Sequence, residues 1–296
     1  MTRWTRRQFF QNATTGTCIA AAGALNPSAQ AGAIASPLSS LKVGLVTYNL
    51  AKDWDVPTII KNCTETRFEG VELRTGHAHG VELTLSKMQR AEVKKRFADS
   101  PITLAQLGST YEFHSTDLKE VQKNIEGCKQ YLELAKDVGA QGVKVRPNGL
   151  QIKAGIPVEK TLEQIGKSLG ELGKTASDHG IEIRVEVHGS GTSRVEYIQR
   201  IMDIANHPMV TVNWNSNQVD LEDGGLERNF SLVAKKIRHV HMRDLHIGEY
   251  PWRQLLGLLM KSGFSGYCCA EVDSSTDPLR VMRYYRALFI ALQGTN

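Results

Sequence analysis

Six segments of this chain carry ionisable or amide side chains two residues apart: Glu72 and Arg74; Lys144 and Arg146; Arg184, Glu186 and His188; Asn213 and Asn215; His239 and His241; Glu271 and Asp273. Residues i and i+2 share one face of an extended strand. The residues between them are Val71, Leu73, Val143, Val145, Val185, Val187, Val212, Trp214, Val240, Met242, Ala270 and Val272, nearly all apolar. Each segment therefore has a greasy face and an ionisable one. Glutamate, asparagine and histidine side chains brought together give mixed oxygen and nitrogen donors, a set that suits a divalent metal ion. Arginine forks among them match carboxylates or sugar hydroxyls. A single strand Glu or His is most often a satisfied structural group, but six segments repeating one parity ask for a shared site.

The elements that must position these residues follow an alternating pattern. Short β-branched runs at 41–47, 69–73, 102–107, 142–146, 181–187, 209–214, 237–242 and 266–272 are separated by longer amphipathic stretches. Helices are expected at 85–99, 118–138, 158–179, 195–206, 252–261 and 278–292. Gly139, Gly180 and Gly263 stand where helices should stop, each just before a strand. Strand starts recur every 28 to 40 residues, the length of one strand, one helix and two loops. This predicts an α/β fold, an eight-stranded (β/α)8 TIM barrel. An open doubly wound sheet competes with it, yet no Gly-x-Gly-x-x-Gly follows the first strand and no P-loop occurs. In a closed barrel the apolar parity packs on the outer helices and the charged parity points inward. Unpaired polar groups low in the barrel cost several kcal/mol each, whereas the C-terminal rim is where barrel enzymes place their sites.

The first forty residues hold no acid and no lysine, only Arg3, Arg6 and Arg7, followed by a mildly apolar Ala/Thr/Gly stretch. Thr5-Arg6-Arg7-Gln8-Phe9-Phe10 resembles a twin-arginine export signal. Small residues at Ala29, Ala31 and Ala33 supply cleavage sites. Residues 1–33 are therefore expected to be a signal peptide and 34–296 the barrel, with the mature protein periplasmic or secreted. Loss of those three arginines lowers the formal charge from +5 to +2, which gives no electrostatic claim on nucleic acid or membrane surfaces. No apolar run approaches the roughly 20 residues of a membrane span. Cys63, Cys128, Cys268 and Cys269 match neither a zinc ribbon nor a disulfide framework, so buried free thiols are expected.

Five motifs, taken in order and at strand spacing, resemble the xylose isomerase-like barrel family of sugar phosphate isomerases and epimerases. They are Phe68-Glu69-Gly70-Val71-Glu72-Leu73, Arg184-Val185-Glu186-Val187-His188-Gly189, Val212-Asn213-Trp214-Asn215, His239-Val240-His241-Met242-Arg243-Asp244 and Ala270-Glu271-Val272-Asp273. The resemblance implies metal ligands at Glu186, Asn215, His241 and Glu271; position 215 is usually Asp in the family. It implies a divalent ion, Mn, Co, Mg or Zn, and proton abstraction beside a carbonyl, with Glu186 and Glu271 as the bases. Glu72, Arg146, His188 and Arg243 are expected to hold the substrate, and Asp244 to orient His241 or pair with Arg243.

The expected activity is that of a sugar or polyol isomerase or epimerase with a small carbohydrate substrate and a possible oligomer. A lyase or hydrolase of keto-glycosides and a non-catalytic carbohydrate-binding barrel are the competing readings. A nuclease would need further ligands, for which His77, His79 and His114 are the candidates, and a basic rim that this composition lacks.

Overall fold

The computed structural model describes residues 41–294. The expected signal peptide, residues 1–33, lies outside them. Eight parallel strands close in chain order: β1 (Lys42–Val46), β2 (Gly70–Arg74), β3 (Thr103–Glu112), β4 (Gly142–Arg146), β5 (Glu182–Glu186), β6 (Val210–Asn215), β7 (Ile237–Met242) and β8 (Tyr267–Ala270). The TIM barrel is thus the fold, with β1 bonded to both β2 and β8.

Eight helices follow the strands: α1 (Val56–Thr66), α2 (Lys87–Ala98), α3 (Leu118–Val138), α4 (Val158–His179), α5 (Val195–Ala205), α6 (Gly225–Val233), α7 (Trp252–Lys261) and α8 (Pro278–Gln293). Two of them, α1 and α6, fall outside the helical stretches named from periodicity. The α1 helix is set by Asp55, whose side chain accepts from the Thr58 amide, with Pro57 in the first turn. Ser86 and Gln89 form a reciprocal capping box on α2. Gly139 and Gly180 take left-handed φ of 81° and 68° after α3 and α4, which frees each chain to turn into the next strand.

The apolar parity packs outward as expected. Val71, Leu73, Val143, Val185, Val212, Trp214, Val240 and Met242 are all completely buried under the helices. Inside the barrel a separate small cluster of Val46, Ala105, Tyr267 and Cys269 shares the space with polar side chains: Val46 is in register with Glu72, and Tyr267 with His239. The four cysteines among the described residues are buried and free.

Two strand ends differ from expectation. The β3 strand continues to Glu112, bulging between Gly108 and Glu112, so that Glu112 pairs in register with Arg146. The β8 strand stops at Ala270, so Glu271 and Asp273 stand beyond its end, although the Glu271 amide still bonds the Met242 carbonyl at 2.9 Å. Among the described residues no helix is long and apolar enough to cross a membrane.

Candidate active site

The residues gathered at the C-terminal mouth line a cavity of about 310 Å³: Tyr48, Asn49, Arg74, Lys144, Arg146, Glu186, His188, Asn215, Arg243, Glu271 and Asp273. Larger grooves exist on the outside, such as one of about 440 Å³ between α3 and α4. There Lys160, Glu163 and Lys167 pair only with one another, as solvated surface charges do. Convergent chemistry is found at the mouth.

His241 is the centre of the arrangement. Its Nε2 lies 2.6 Å from Glu72 Oε2, and its Nδ1 lies 3.1 Å from Glu186 Oε1 and 3.6 Å from Glu271 Oε2. Burial alone would lower the His241 pKa. The charges of Glu72 and Glu271, with hydrogen bonds to Glu186 and Glu72, instead push it up to about 10. Both ring nitrogens therefore carry protons and donate to carboxylates.

Glu72 departs from expectation. It is completely buried and bonds His241 instead of lining the cavity, where a substrate-holding residue is expected. Gln106 donates to its Oε2 at 2.5 Å, and Gln106 Oε1 in turn accepts from Arg184 at 3.2 Å. Arg184 is paired with Glu182 at 2.8 Å near the barrel floor. A continuous polar chain thus runs from the floor to His241, and these partners explain why polar groups are tolerated so deep. Burial favours protonation of Glu72, but the His241 charge, contacts with His239 and His241, and Lys144 hold its carboxyl well below the usual range. His239 stays neutral, its pKa pushed down to about 3 by burial despite Glu72 at 3.4 Å.

This support is sterically tight. A Cβ on Gly108 would overlap Glu72 Oε1 and press on the Arg74 backbone at 3.2 Å. Gly108→Ala is accordingly expected to cost about 1–3 kcal/mol, as overpacking does, and to displace Glu72 from His241. Chemical denaturation beside an activity assay checks it; unchanged stability would show that Glu72 can move freely.

Glu186 is buried, with Lys144 Nζ 3.0 Å from its Oε2 and the Asn215 amide 3.5 Å from its Oε1. Burial would raise its pKa, yet Lys144 and His241 outweigh that and keep it ionised. Glu271 is part-exposed at the mouth.

Of the residues expected to hold substrate, Arg146, His188 and Arg243 line the cavity at the rim. His188 Nδ1 meets Asn148 Oδ1 at 2.8 Å, Asn148 bonds Glu112 at 2.6 Å, and Glu112 pairs with Arg146. This network was hidden by the unexpected length of β3. Arg243 donates to the Ser216 carbonyl from Nε at 3.0 Å, and the structure shows no ion pair between Arg243 and Asp244. Asp244 touches neither His241 nor Arg243 in the hydrogen-bond pattern, so the orienting group expected there is Glu72 instead.

The loop after β2 uses its histidines locally: His77 Nδ1 bonds Thr47, and His79 lies between the Arg74 carbonyl and the Val81 amide. Among the described residues the two clusters with metal-ligand spacing are Glu186–His241–Glu271 and Glu72–His239–His241; neither includes His77, His79 or His114.

The donor set fits a divalent ion at the upper cluster. Glu186, His241 and Glu271 each offer one donor atom within 4.8 Å of the others. Glu72 fixes Nε2, which turns Nδ1 toward both carboxylates, the carboxylate–histidine pattern that orients metal-binding imidazoles. Asn215 can present its carbonyl oxygen after a flip of its amide, since oxygen and nitrogen are interchanged by that rotation.

A barrel with this motif order and this cluster at its mouth defines a class, and the chain belongs to the xylose isomerase-like TIM barrel family, whose pattern matches residues 60–288. It is 20% identical over 150 residues to an inosose dehydratase of Bacillus licheniformis, covering 41% of this chain and 50% of that protein. The chain thus spans about half the length of that curated relative. Among solved structures it is similar to the 3-keto-D-glucoside 4-epimerase of E. coli, with TM-score 0.72 and 16% identity over 85% of this chain and 100% of the other. It is also similar to an IolI protein crystallised with a zinc atom, with TM-score 0.69 and 17% identity over 85% of this chain and 98% of the other.

Proposed function

We propose that this chain is a divalent-metal-dependent isomerase or epimerase that removes a proton next to the carbonyl of a sugar or polyol-derived substrate. The observation that carries this is the convergence of Glu186, on β5, and Glu271, just past β8, on His241 Nδ1 at the mouth of the barrel. A carbon held between two carboxylates can lose its proton to one and regain it from the other, which inverts it; return to the neighbouring carbon isomerises the sugar. An ion held by Glu186, Asn215, His241 and Glu271 would supply Lewis acidity to the carbonyl and the adjacent hydroxyl. Mn, Co, Mg and Zn all suit such mixed donors. Arg146, His188 and Arg243 line the same cavity and would hold substrate oxygens.

Removal of a proton beside a carbonyl by a carboxylate also begins an elimination, so a dehydration like that of the inosose dehydratase relative is compatible with the same residues. The test is a D2O exchange screen of the metal-loaded protein against ketoses and keto-glycosides, followed by product analysis. Solvent deuterium at the carbon beside the carbonyl supports the reading, and product structure separates epimer from dehydrated sugar. No exchange and no turnover on any of them would leave a carbohydrate-binding barrel ahead.

Export is part of the proposal and rests on Arg6 and Arg7 in the sequence. Replacing both by Lys is expected to retain the protein in the cytoplasm. Fractionation checks it, and periplasmic recovery of the double variant counts against a twin-arginine route.

A further inference from the structure

Lys144 is the only lysine among the residues lining the cavity, and its side chain is 6% exposed. The β4 strand aims it inward from a position paired in register with Gly108 and Arg184. Its ammonium lies 3.0 Å from Glu186 Oε2 and 3.9 Å from Glu72 Oε1. Glu72, Glu186 and Glu271 surround His241, and Asn215 adds no charge. With a neutral imidazole, Lys144 leaves this group two net negative charges, those that one divalent ion neutralises.

We propose that Lys144 sets the affinity and the Lewis acidity of the metal centre: its charge, held beside Glu186, opposes the incoming ion. This rests on the metal-assisted reading above. A positive charge a few ångströms from a divalent ion shifts its affinity by about tenfold or more even at the effective dielectric of a protein interior. The same charge keeps the ion a stronger Lewis acid, because fewer negative neighbours neutralise it. Lys144 and Asn215 act in one direction. Both lower the negative charge around the ion, at the expense of occupancy and in favour of carbonyl polarisation.

A lysine that only braced Glu186 would have the opposite signature, since its loss would loosen a ligand and weaken binding. The sign of the change therefore separates the two roles. Metal-stripped full-length protein is titrated calorimetrically with MnCl2 as wild type, Lys144→Met, Lys144→Gln, Lys144→Arg and Asn215→Asp. Lys144→Gln keeps a hydrogen-bond donor toward Glu186 and so guards the fold while removing the charge; circular dichroism and thermal melting verify each variant.

The Met and Gln variants are expected to bind Mn about tenfold or more tightly than wild type. Arg should stay near wild type, and Asn215→Asp should tighten binding. Unchanged or weaker binding in a folded Met or Gln variant, with wild type and Asn215→Asp still binding, overturns the role of Lys144 alone. No binding by any of the five proteins overturns the metal-assisted reading together with it.

Discussion

Glu271→Gln is expected to lower proton exchange by about 10²–10⁴-fold, the usual contribution of a positioned acid or base, while leaving thermal stability nearly unchanged. Glu271 sits past the end of β8, is part-exposed, and makes one charged contact, to His241 at 3.6 Å. On the proposed reading its loss would remove a base and a ligand, and it leaves no buried partner alone, since His241 keeps Glu72 and Glu186. Glu186→Gln should match it in activity but not in stability. Glu186 is buried and holds the Lys144 ammonium at 3.0 Å, so neutralising it leaves that buried ammonium only the more distant Glu72 carboxylate at 3.9 Å, at a cost of about 1–3 kcal/mol. Exchange in D2O, bound metal by elemental analysis and denaturation on the same preparations separate these effects. Retention of more than a tenth of wild-type exchange by Glu271→Gln would remove it from the chemistry.

The different stability costs of the two glutamates point to what strand parity can and cannot say. Alternation tells which side chains face inward, and the inward set holds throughout the barrel: Glu72, Lys144, Arg184, Glu186, His239 and His241 are all buried inside it. Parity carries no information about depth. Glu72 shares a face with Arg74, and His239 with His241, but in each pair the first residue lies a layer lower, where register and closure decide its neighbours. Parity alone therefore puts Glu72 at the substrate, whereas it is found beneath His241. The same ignorance of depth leaves Lys144 without a role, although it stands two residues before the strand end, as Glu72 does.

Strand ends are the other gap. Ser109, Thr110, Tyr111 and Glu112 do not continue the apolar run at 102–107, so nothing local announces that β3 reaches Glu112. The Glu112 contacts that tie Arg146 and Asn148, and through Asn148 reach His188, cross from β3 to the ends of β4 and β5, and only the closed sheet creates them. Helix α6 escapes for a related reason: it begins at Gly225, directly after Gly224, with no side-chain cap, so its start lacks the usual signal.

Beyond Asn215 the chain enters a turn whose anchor makes a second large effect testable by pH. Asp220 is completely buried; its Oδ2 accepts from the Tyr250 hydroxyl and the Asn217 amide, each at 2.9 Å, while its Oδ1 has no hydrogen-bond partner. The Asn217 side chain in turn donates to the carbonyls of Asn215 and Val187, which ties this anchor to the ends of β6 and β5. Burial dominates, and although the Asn217 and Tyr250 bonds and the Arg243 charge favour ionisation, the Asp220 pKa is raised from 3.8 to about 7. The folded state thus prefers the protonated acid. Its contribution to stability is fully present below pH 3.8 and is lost progressively as pH rises to about 7. The loss amounts to roughly 2–4 kcal/mol, because a tenfold difference in proton affinity between the folded and unfolded chain is worth about 1.4 kcal/mol. Asp220→Asn keeps an acceptor for Tyr250 and Asn217 without a charge to bury, so its stability should not follow that decline. Urea denaturation between pH 4.5 and 8.5 is expected to show the variant gaining on wild type with pH and surpassing it above pH 7. Parallel stability curves for the two proteins would mean that Asp220 ionises in the folded state as easily as in water, and that the turn after β6 is open to solvent.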